Sequence, residues 1–406
     1  MSTNPSPQRI AIIGGGPAGL MAAEVIAREG GDTVAVTVFE RMPSVGRKLL
    51  MAGRGGLNIT HSEAIERFHT RYRAAEGWMR TALEAFPPSA LVQWCEALGQ
   101  PTFVGSSGRV FPRAMKASPL LRAWLTRLND LGVTMKPRAE WAGWAADGTL
   151  RFADGGIYAA DATVLALGGA SWPRLGADGT WATLLSDIAI TPLQPANCGF
   201  HVDWSEHFRS RHAGSPLKRI ALSFAGQTIR GEAMIGAQGI EGGAIYALSA
   251  RLRDAIARDG AAELLIDLRP DMDDAELHEK LSQPRRGASL ANFLRKQINL
   301  PPVAIGLIQE ALHGGSTASL ETLVRGLRLR LTAPFGLARA ISTAGGIALD
   351  ELDQHLMLRK RPGVFVAGEM LDWEAPTGGY LLQGCMATGV AAGHGVLRWL
   401  RQAHPA

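Results

Sequence analysis

A chain of 406 residues, 46% of them hydrophobic, is long enough for two or three buried cores and describes a soluble multi-domain protein. The 42 Lys and Arg residues exceed the 37 Asp and Glu residues but are scattered along the sequence, so a nucleic-acid partner is disfavoured and left open. Three distant cysteines without a C-x-x-C pair exclude a disulfide framework, and no apolar run reaches membrane-spanning length, so we expect a cytoplasmic protein without a membrane partner or metal site.

A polar lead, Met1 to Arg9, lacks the apolar segment of a signal peptide, and we predict it to be disordered. After it, an apolar run enters a G-x-G-x-x-G turn at Gly14, Gly16 and Gly19, followed by a helical pattern and a second apolar run. This order is typical of a βαβ dinucleotide-binding unit. Gly14 permits the tight turn, Gly16 lets the pyrophosphate approach the backbone, and Gly19 lets the helix pack closely on the sheet.

The remaining residues of this unit predict where the parts of the dinucleotide bind. Pro17 and Ala18 begin the helix, whose positive N-terminal end suits the phosphates. Glu40, 21 residues after Gly19, ends the second strand where an acid accepts hydrogen bonds from ribose hydroxyls. Because an acid suits a free ribose hydroxyl, FAD or NAD is favoured over NADP.

A glycine-rich basic loop follows, from Arg41 to His61. One interpretation is a flexible surface loop, since glycine and arginine suit that role. The other is that backbone amides from Gly53 to Gly56, together with basic side chains, contact phosphate or the flavin edge, and that two polar side chains donate hydrogen bonds near the ring. The predicted cofactor-binding residues here are Arg41, Arg47, Lys48, Gly53, Asn58 and Thr60.

The chain returns to the cofactor side with a buried strand over residues 161–167. It ends in Gly168 and Gly169, where backbone without side chains is expected to lie close to the cofactor. Another helix is predicted to begin between Gly176 and Thr180.

The composition then predicts an inserted β-rich domain over 190–340, with a helical subdomain over about 273–325, that covers the cofactor. The flanking segments 1–189 and 341–406 form the two parts of one nucleotide-binding domain. In the second part, two glycines precede the last helix. The N-terminus of that helix suits the negative charge at N1 and C2=O of a reduced flavin. The alternative is that the glycines only begin the helix and contact no cofactor. The predicted cofactor-binding residues here are Gly368, Glu369, Asp372, Gly378, Gly379, Tyr380 and Leu381.

Three segments, 46–60, 165–173 and 362–389, together resemble the BaiN-like family of bacterial NAD(P)/FAD-dependent oxidoreductases. The resemblance is strong at both ends of the chain and looser in the insert. It implies an α/β fold of the two-dinucleotide-binding-domain flavoprotein type, in which a Rossmann-like FAD-binding domain is split by a β-rich domain carrying a helical subdomain. It also implies a non-covalent FAD.

The sequence departs from the family's pattern at two places. The family's loop usually reads G-G-G-R-C-N, whereas the segment from Gly53 to Asn58 has no cysteine and carries its arginine elsewhere. Leu381 stands where asparagine is common. Both changes fall where the substrate or the edge of the flavin ring is expected. The resemblance therefore implies FAD binding but does not imply a particular substrate.

The resulting hypothesis is an FAD-dependent oxidoreductase that passes a hydride through flavin N5 and acts on an unidentified small molecule. Because no second G-x-G-x-x-G follows a strand, NAD(P)H is expected to dock transiently as the reductant; the alternative is that the substrate itself reduces the flavin. Trp172 and Trp373 either pack in the hydrophobic core, which is favoured, or line the flavin ring. Two alternatives are a flavoprotein that binds or modifies tRNA and a non-catalytic flavin-binding redox sensor. No catalytic residue is assigned; the candidates for polarising or protonating a carbonyl or enone, each equally compatible with a structural role, are Arg54, His61, Arg109, Arg174 and Tyr380.

Overall fold

A computed structural model describes residues 6–403, which form two compact units. The first unit contains the chain up to Gln194 and from Ser342 onwards, and the second contains Pro195–Ile341. The strands are β1 (Gln8–Ile13), β2 (Val34–Glu40), β3 (Thr60–His61), β4 (Thr102–Val104), β5 (Arg109–Pro112), β6 (Thr134–Pro137), β7 (Trp141–Trp144), β8 (Leu150–Phe152), β9 (Ile157–Tyr158), β10 (Ala162–Leu165), β11 (Ile190–Ala196), β12 (Phe200–His201), β13 (Pro216–Phe224), β14 (Gln227–Gly236), β15 (Gly239–Glu241), β16 (Ala262–Asp267), β17 (Leu327–Leu331), β18 (Ser342–Ile347) and β19 (Val364–Val366). The α-helices are α1 (Pro17–Gly30), α2 (Arg47–Ala52), α3 (Ile65–His69), α4 (Glu76–Ala85), α5 (Pro88–Ala97), α6 (Ala117–Asp130), α7 (Glu206–His212), α8 (Gly243–Asp259), α9 (Asp274–Leu281), α10 (Leu290–Ile298), α11 (Pro302–His313), α12 (Leu320–Gly326) and α13 (Tyr380–Ala403).

The first unit is built on a five-stranded parallel sheet in the order β19-β10-β1-β2-β6. β1 is central and buried over Ile10–Ile13, as expected for a parallel strand covered on both faces. The chain passes from β1 to β2 on one side and later to β10 on the other, so the strand order reverses at the carboxyl end of β1. In open α/β sheets such a switch point forms the ligand-binding crevice. The predicted α/β fold class with a Rossmann-like domain is confirmed.

The start of β1 corrects one expectation. Gln8 and Arg9 belong to this strand and pair with Val34 and Ala35 of β2, so the predicted disordered lead does not reach Arg9. Residues 1–5 lie outside the described part of the chain.

Small residues let α1 and α13 pack closely against each other. A Cβ atom at Gly389 would lie 2.4 Å from the carbonyl oxygen of Ala18, and one at Gly393 would lie 2.9 Å from Cβ of Val25. Any larger side chain at either position would separate the two helices. Because α1 follows the glycine turn and α13 follows Gly379, this contact fixes the two helix N-termini relative to each other.

The first unit also contains two small antiparallel sheets of three strands each. β3, β5 and β4 form one, and β7, β8 and β9 form the other. In place of the helix expected to begin between Gly176 and Thr180, the structure has a short 3-10 helix, Thr180–Leu184, preceded by a 3-10 turn, Pro173–Leu175. Gly176 and Gly179 there have positive φ angles of 107° and 73°, which an α-helix does not accommodate.

The second unit has its own sheet and core. Its six antiparallel strands run in the order β12-β15-β14-β13-β16-β17, and α7 to α12 belong to the same unit. Fully buried side chains such as Phe200, Leu222 and Leu264 fill its interior. Within residues 6–403 no helix combines the length and apolar character needed for a membrane span.

Candidate dinucleotide-binding site

The turn between β1 and α1 requires glycine at two positions. Gly14 has a φ of 110°, its N–H donates to the carbonyl of Phe39 at 2.8 Å, and a Cβ atom there would lie 2.3 Å from the carbonyl oxygen of Ala166. A Cβ atom at Gly19 would lie 2.0 Å from the carbonyl oxygen of Gly14. Both distances are far below van der Waals contact, so these glycines fix the strand-turn-helix geometry itself.

Gly16 differs from its two partners because nothing fills the space beside it. No described atom lies within 4 Å of where its Cβ would stand, and its φ of −85° is ordinary for any residue. Gly16 is the N-cap of α1, has no side chain to cap it, and is followed by Pro17 at the first helical position. The free N–H groups of the first turn are therefore available to an anion at the switch point.

Glu40 is held in place at the carboxyl end of β2. Its Oε2 accepts the N–H of Gly15 at 2.9 Å, and its Oε1 accepts the N–H of Met42 at 2.8 Å. Because an ionised carboxylate has about four acceptor positions, two remain for other donors. Glu40 therefore joins the glycine turn to β2 and keeps the capacity to bind ribose hydroxyls.

Arg41 is engaged by an acid from a distant segment. Its guanidinium lies 2.7 Å from Oδ2 of Asp178. Burial alone would raise the pKa of the Asp178 carboxyl, but hydrogen bonds from Arg41 and Thr180 outweigh burial and lower that pKa. Arg47 contacts the hydroxyl of Ser44 at 3.4 Å. Arg41 thus ties the loop after β10 to the end of β2.

Lys48 and Glu369 form a largely buried ion pair. Nζ of Lys48 lies 2.7 Å from Oε2 of Glu369 and donates to the hydroxyl of Ser171 at 2.9 Å. Oε1 of Glu369, a residue only 6% exposed, accepts the N–H of Thr343 at 2.9 Å. A Cβ atom at Gly169 would lie 2.4 Å from the hydroxyl oxygen of Thr343. The predicted cofactor residues Lys48, Gly169 and Glu369 therefore form a network that fixes the segment after β10.

The two glycines nearest this network are also bound through their backbone. The carbonyl of Gly168 accepts the indole N–H of Trp181 at 2.9 Å, and the carbonyl of Gly368 accepts that of Trp373 at 2.9 Å. A Cβ atom at Gly368 would lie 2.8 Å from Cβ of Ala18. Gly368 therefore lies close to the helix N-terminus where phosphates are expected. Trp373, 3% exposed, is a core residue.

Gly53 does not fit its predicted role. Its N–H donates to the carbonyl of Leu49 and ends α2, so that amide is not free for a phosphate. A Cβ atom there would lie 2.6 Å from Cβ of Ala117, so the glycine serves the packing of α2 against α6. The sequence could not show this contact because Ala117 lies far along the chain.

Asn58 presents an acceptor rather than the predicted donor, whereas the hydroxyl of Thr60 keeps the capacity to donate. Nδ2 of Asn58 donates to the carbonyls of Thr60 at 2.8 Å and Val110 at 3.0 Å, which uses both of its N–H groups. Its Oδ1 is buried without a hydrogen-bond partner in the described part of the chain. The hydroxyl of Thr60, a fully buried residue, is also without one. The prediction that Asn58 donates to the ring is therefore wrong, because the local backbone takes its donors.

A third oxygen of this kind comes from the first turn of α13. Nε2 of Gln383 donates to the carbonyl of Phe86 at 2.7 Å, while its Oε1 is buried and has no partner among residues 6–403. A Cβ atom at Gly379, which precedes α13, would lie 2.6 Å from Cα of Thr60. Two unpartnered oxygens therefore lie at β3 and the residues before it, and a third lies in the first turn of α13; a ligand satisfies such oxygens in many proteins. Sequence reasoning missed Gln383.

Tyr380 is anchored at the same junction. Its hydroxyl donates to Oε1 of Glu63 at 2.6 Å, and its ring stacks on His61 at 5.4 Å between centroids. Nε of Arg71 donates to the same carboxylate at 2.8 Å. Burial alone would raise the pKa of Glu63, but hydrogen bonds from Arg71 and Tyr380 outweigh it and lower that pKa. Burial, aided by the bond to Glu63, raises the pKa of Tyr380.

The other candidate catalytic residues fall into two places. His61 lies opposite Arg109 on neighbouring strands, and both its ring nitrogens are engaged: Nδ1 accepts the N–H of Glu63 at 3.1 Å, and Nε2 contacts the carbonyl of Ser107 at 3.0 Å. Since a carbonyl only accepts, we assign the ring proton to Nε2. His61 is therefore a structural residue with no free proton for a substrate.

Arg54 and Arg109 are exposed, and neither has an ion-pair partner among the described residues. Arg174 stacks over the indole of Trp172 at 5.1 Å, on the loop after β10 and so on a different element from His61, Arg109 and Tyr380. Trp172 has a φ of 62°, a strained conformation for a bulky residue. Asp372 accepts the hydroxyl of Thr191 at 2.6 Å.

A family model described as HI0933-like protein Rossmann domain matches residues 8–395. The chain belongs to this family. It is 27% identical to 3-dehydro-bile acid delta(4,6)-reductase of Clostridium scindens, over 95% of this chain and 98% of that protein. It is 23% identical to ribosomal RNA dihydrouridine synthase of Escherichia coli, over 92% and 94%. The resemblance inferred from the three sequence segments is thus confirmed at the level of the family.

One solved structure supports the fold of this HI0933-like chain. A 3-ketosteroid delta1-dehydrogenase of Sterolibacterium denitrificans superposes with a TM-score of 0.51 at 13% identity, over 97% of this chain and 100% of that one. At this identity the likeness extends to the fold alone.

Proposed function

We propose that this protein is an oxidoreductase that binds FAD non-covalently in its first unit. The observation that carries the proposal is the open space beside Gly16 at the uncapped N-terminus of α1, located where the strand order reverses. Phosphate groups bind at such helix ends in dinucleotide-binding folds. Membership of the HI0933-like family and the reductase and synthase names of its two relatives support the same reading.

The residues of the site fit both the adenosine diphosphate part and the flavin part of FAD. Glu40 retains acceptor positions for the ribose hydroxyls, and the first turn of α1 offers N–H groups for the pyrophosphate. The polar edge of an oxidised flavin carries a single N3–H donor, which the unpartnered oxygen of Asn58 or that of Gln383 would accept. The hydroxyl of Thr60 donates as well as accepts. The network of Lys48 and Glu369 holds the segment between these two ends.

When bound, FAD supplies hydride transfer through N5. The residues of this chain position the reactants rather than exchange protons with them. Tyr380 directs its proton to Glu63, and His61 directs its proton to the carbonyl of Ser107. Because both protons are engaged, we infer that solvent supplies the proton that completes the reduction.

The substrate class follows from what the two relatives' names share. A delta(4,6)-reductase of a 3-dehydro bile acid and a dihydrouridine synthase both saturate a carbon–carbon double bond conjugated to a carbonyl. We infer the same chemistry here: a hydride adds to the carbon β to the carbonyl and a proton adds to the α carbon. NAD(P)H is the proposed reductant, docking transiently, and the cytoplasm is the proposed location.

The test is an anaerobic visible spectrum of the purified protein before and after NADH and then NADPH. We expect flavin bands that bleach with one nicotinamide and return on addition of an unsaturated 3-oxosteroid or another conjugated enone. Flavin that stays oxidised with both nicotinamides would contradict the proposed reductant and favour a redox sensor. A colourless protein that cannot be reconstituted with FAD would overturn the proposal.

A further inference from the structure

The positive charge of this chain is concentrated in two stretches of its first unit. Residues 41–62 and 97–129 together contain nine Lys or Arg and no Asp or Glu, whereas the rest of the chain carries 33 Lys or Arg against 37 Asp or Glu. Over the whole sequence, acidic and basic residues are therefore nearly balanced. The nine positive charges of these 55 residues exceed the net charge of +5 of the entire chain.

The two stretches fold together although 34 residues separate them. The N–H of Ile59 donates to the carbonyl of Val110 at 2.9 Å, and the N–H of Leu57 donates to that of Met115 at 3.3 Å. β3 from the first stretch pairs with β5 from the second. The structure thus joins two acid-free segments into one module.

Only part of this charge is neutralised. Arg41, Lys48 and Arg127 pair with Asp178, Glu369 and Glu24, which lie outside the two stretches. Five other cations are exposed and have no ion-pair partner in the described part of the chain; they are Arg54, Arg109, Arg113, Lys116 and Arg122.

Aromatic rings lie among these cations. On β5, Val110 and Pro112 are buried, so Arg109 and Phe111 share the opposite face, and exposed Arg113 follows the strand. Phe103 of β4 pairs with Phe111 across the sheet, and the two half-buried rings stack at 5.8 Å between centroids with an interplanar angle of 28°.

Met115 lies beside these rings, against the loop that carries Arg54. It has a φ of 55° and is 39% exposed. A Cβ atom at Gly56 would lie 2.7 Å from its Cε and 3.7 Å from the ring of Phe111. We call this surface the Arg–Phe face; it consists of Arg54, Phe103, Arg109, Phe111, Arg113, Met115 and Lys116.

We propose that the Arg–Phe face binds single-stranded RNA, with bases stacked on its aromatic rings and phosphates on its cations. A small antiparallel sheet that presents aromatic rings between basic side chains has the chemistry of single-strand recognition. Arg109 and Arg113, four residues apart on an extended segment, are separated by about 13 Å, which suits every second phosphate of an extended strand better than one pyrophosphate. Unstacked bases are common in RNA loops, whereas DNA presents paired ones.

This inference does not depend on the flavin chemistry, because binding is measured without turnover. The probe is a fluorescently labelled, unstructured RNA of about 12 nucleotides, titrated with the full-length protein by anisotropy at about 50 and about 200 mM salt. The test variant is Arg109→Ala/Arg113→Ala, and the matched control is Arg285→Ala/Arg286→Ala, which removes two exposed arginines of the second unit.

We expect the test variant to weaken RNA binding about tenfold and to reduce the slope of log K against log salt by about 1.4, since each phosphate contact on a single strand contributes about 0.7. The control keeps the wild-type affinity and slope. Phe111→Leu, which retains an apolar side chain, weakens binding about tenfold at an unchanged salt slope through lost stacking.

Three results would overturn the proposal: no RNA binding by the wild-type protein, equal losses in the test and control variants, or equal affinity for a duplex DNA of the same length. A competition experiment gives one further contradicting result: displacement of the RNA by NADPH at micromolar concentration would make the face a dinucleotide site. Thermal unfolding and flavin absorbance, recorded for every variant, separate loss of binding from loss of fold or of cofactor.

Discussion

Nζ of Lys48 lies 2.7 Å from Oε2 of Glu369, although 321 residues separate them in sequence. The pair connects α2, near the start of the chain, with the turn that follows β19 near its end. Because Glu369 is almost completely buried, Lys48 is the partner that compensates its carboxylate. The two parts of the first unit that flank the inserted segment are therefore joined by an ion pair as well as by the parallel sheet.

Removing one partner of this pair leaves the other charge buried. We expect Lys48→Met to lower the free energy of unfolding by about 3 kcal/mol. Lys48→Met/Glu369→Gln should recover much of the loss, because no charge then remains buried. Lys280→Met is the control, since Lys280 and Glu276 pair in α9 with both side chains exposed and the loss should be below about 1 kcal/mol. Urea unfolding measures all three, and equal losses in the two single variants would contradict the buried-charge explanation.

The open space beside Gly16 gives a test of cofactor binding that leaves the fold intact. Gly16→Ala is sterically allowed, with φ at −85° and no atom of residues 6–403 within 4 Å of the new methyl group. We expect it to reduce FAD affinity at least about tenfold because the methyl group occupies the phosphate's space. Gly77→Ala, in α4 with the same free space, is the control and should retain FAD. Flavin absorbance after reconstitution measures occupancy, and full occupancy in Gly16→Ala would refute this placement of the pyrophosphate.

Gly19→Ala should affect the fold rather than the cofactor alone. The new methyl group would lie 2.0 Å from the carbonyl oxygen of Gly14, so α1 must move away from the turn. We expect a loss of about 1–3 kcal/mol in the absence of FAD, visible as a lower melting temperature. Gly16→Ala should melt like the wild type under the same conditions. If both variants melt alike, the close approach at Gly19 does not limit stability.

The sequence predicted the glycine turn and Glu40 because their chemistry depends on neighbours in the chain. Gly14, Gly19 and Glu40 lie within one βαβ unit, where spacing alone sets the geometry. The fold class followed from the same periodicities. Gly53 shows the limit of this reasoning: a glycine in a basic loop suggests a phosphate contact, but its N–H caps α2 and its free side contacts Ala117.

Long-range contacts account for the rest of the site. Nothing in the spacing of Glu63 indicates that it accepts a hydrogen bond from Tyr380, 317 residues away. Asn58 was expected to donate, yet the nearby carbonyl of Thr60 and the distant one of Val110 take its donors. The positive charge is a further long-range case. The basic residues look scattered in the sequence, because the two stretches that hold many of them come together only in the folded chain.

The Glu63–Tyr380 pair predicts a specific dependence of stability on pH. Folding lowers the pKa of Glu63 from its ordinary value of 4.5, so the folded chain binds fewer protons there than the unfolded chain. The resulting stabilisation is complete above pH 4.5 and is lost as pH falls through the lowered pKa. In Glu63→Gln this contribution is absent, so the difference in unfolding free energy from the wild type should be largest near neutral pH and shrink below pH 4.5. Glu66→Gln, at an exposed position of α3, should follow the wild type throughout. Urea unfolding at several pH values measures these curves, and a constant difference between Glu63→Gln and the wild type would show that the carboxylate's hydrogen bonds do not depend on its charge.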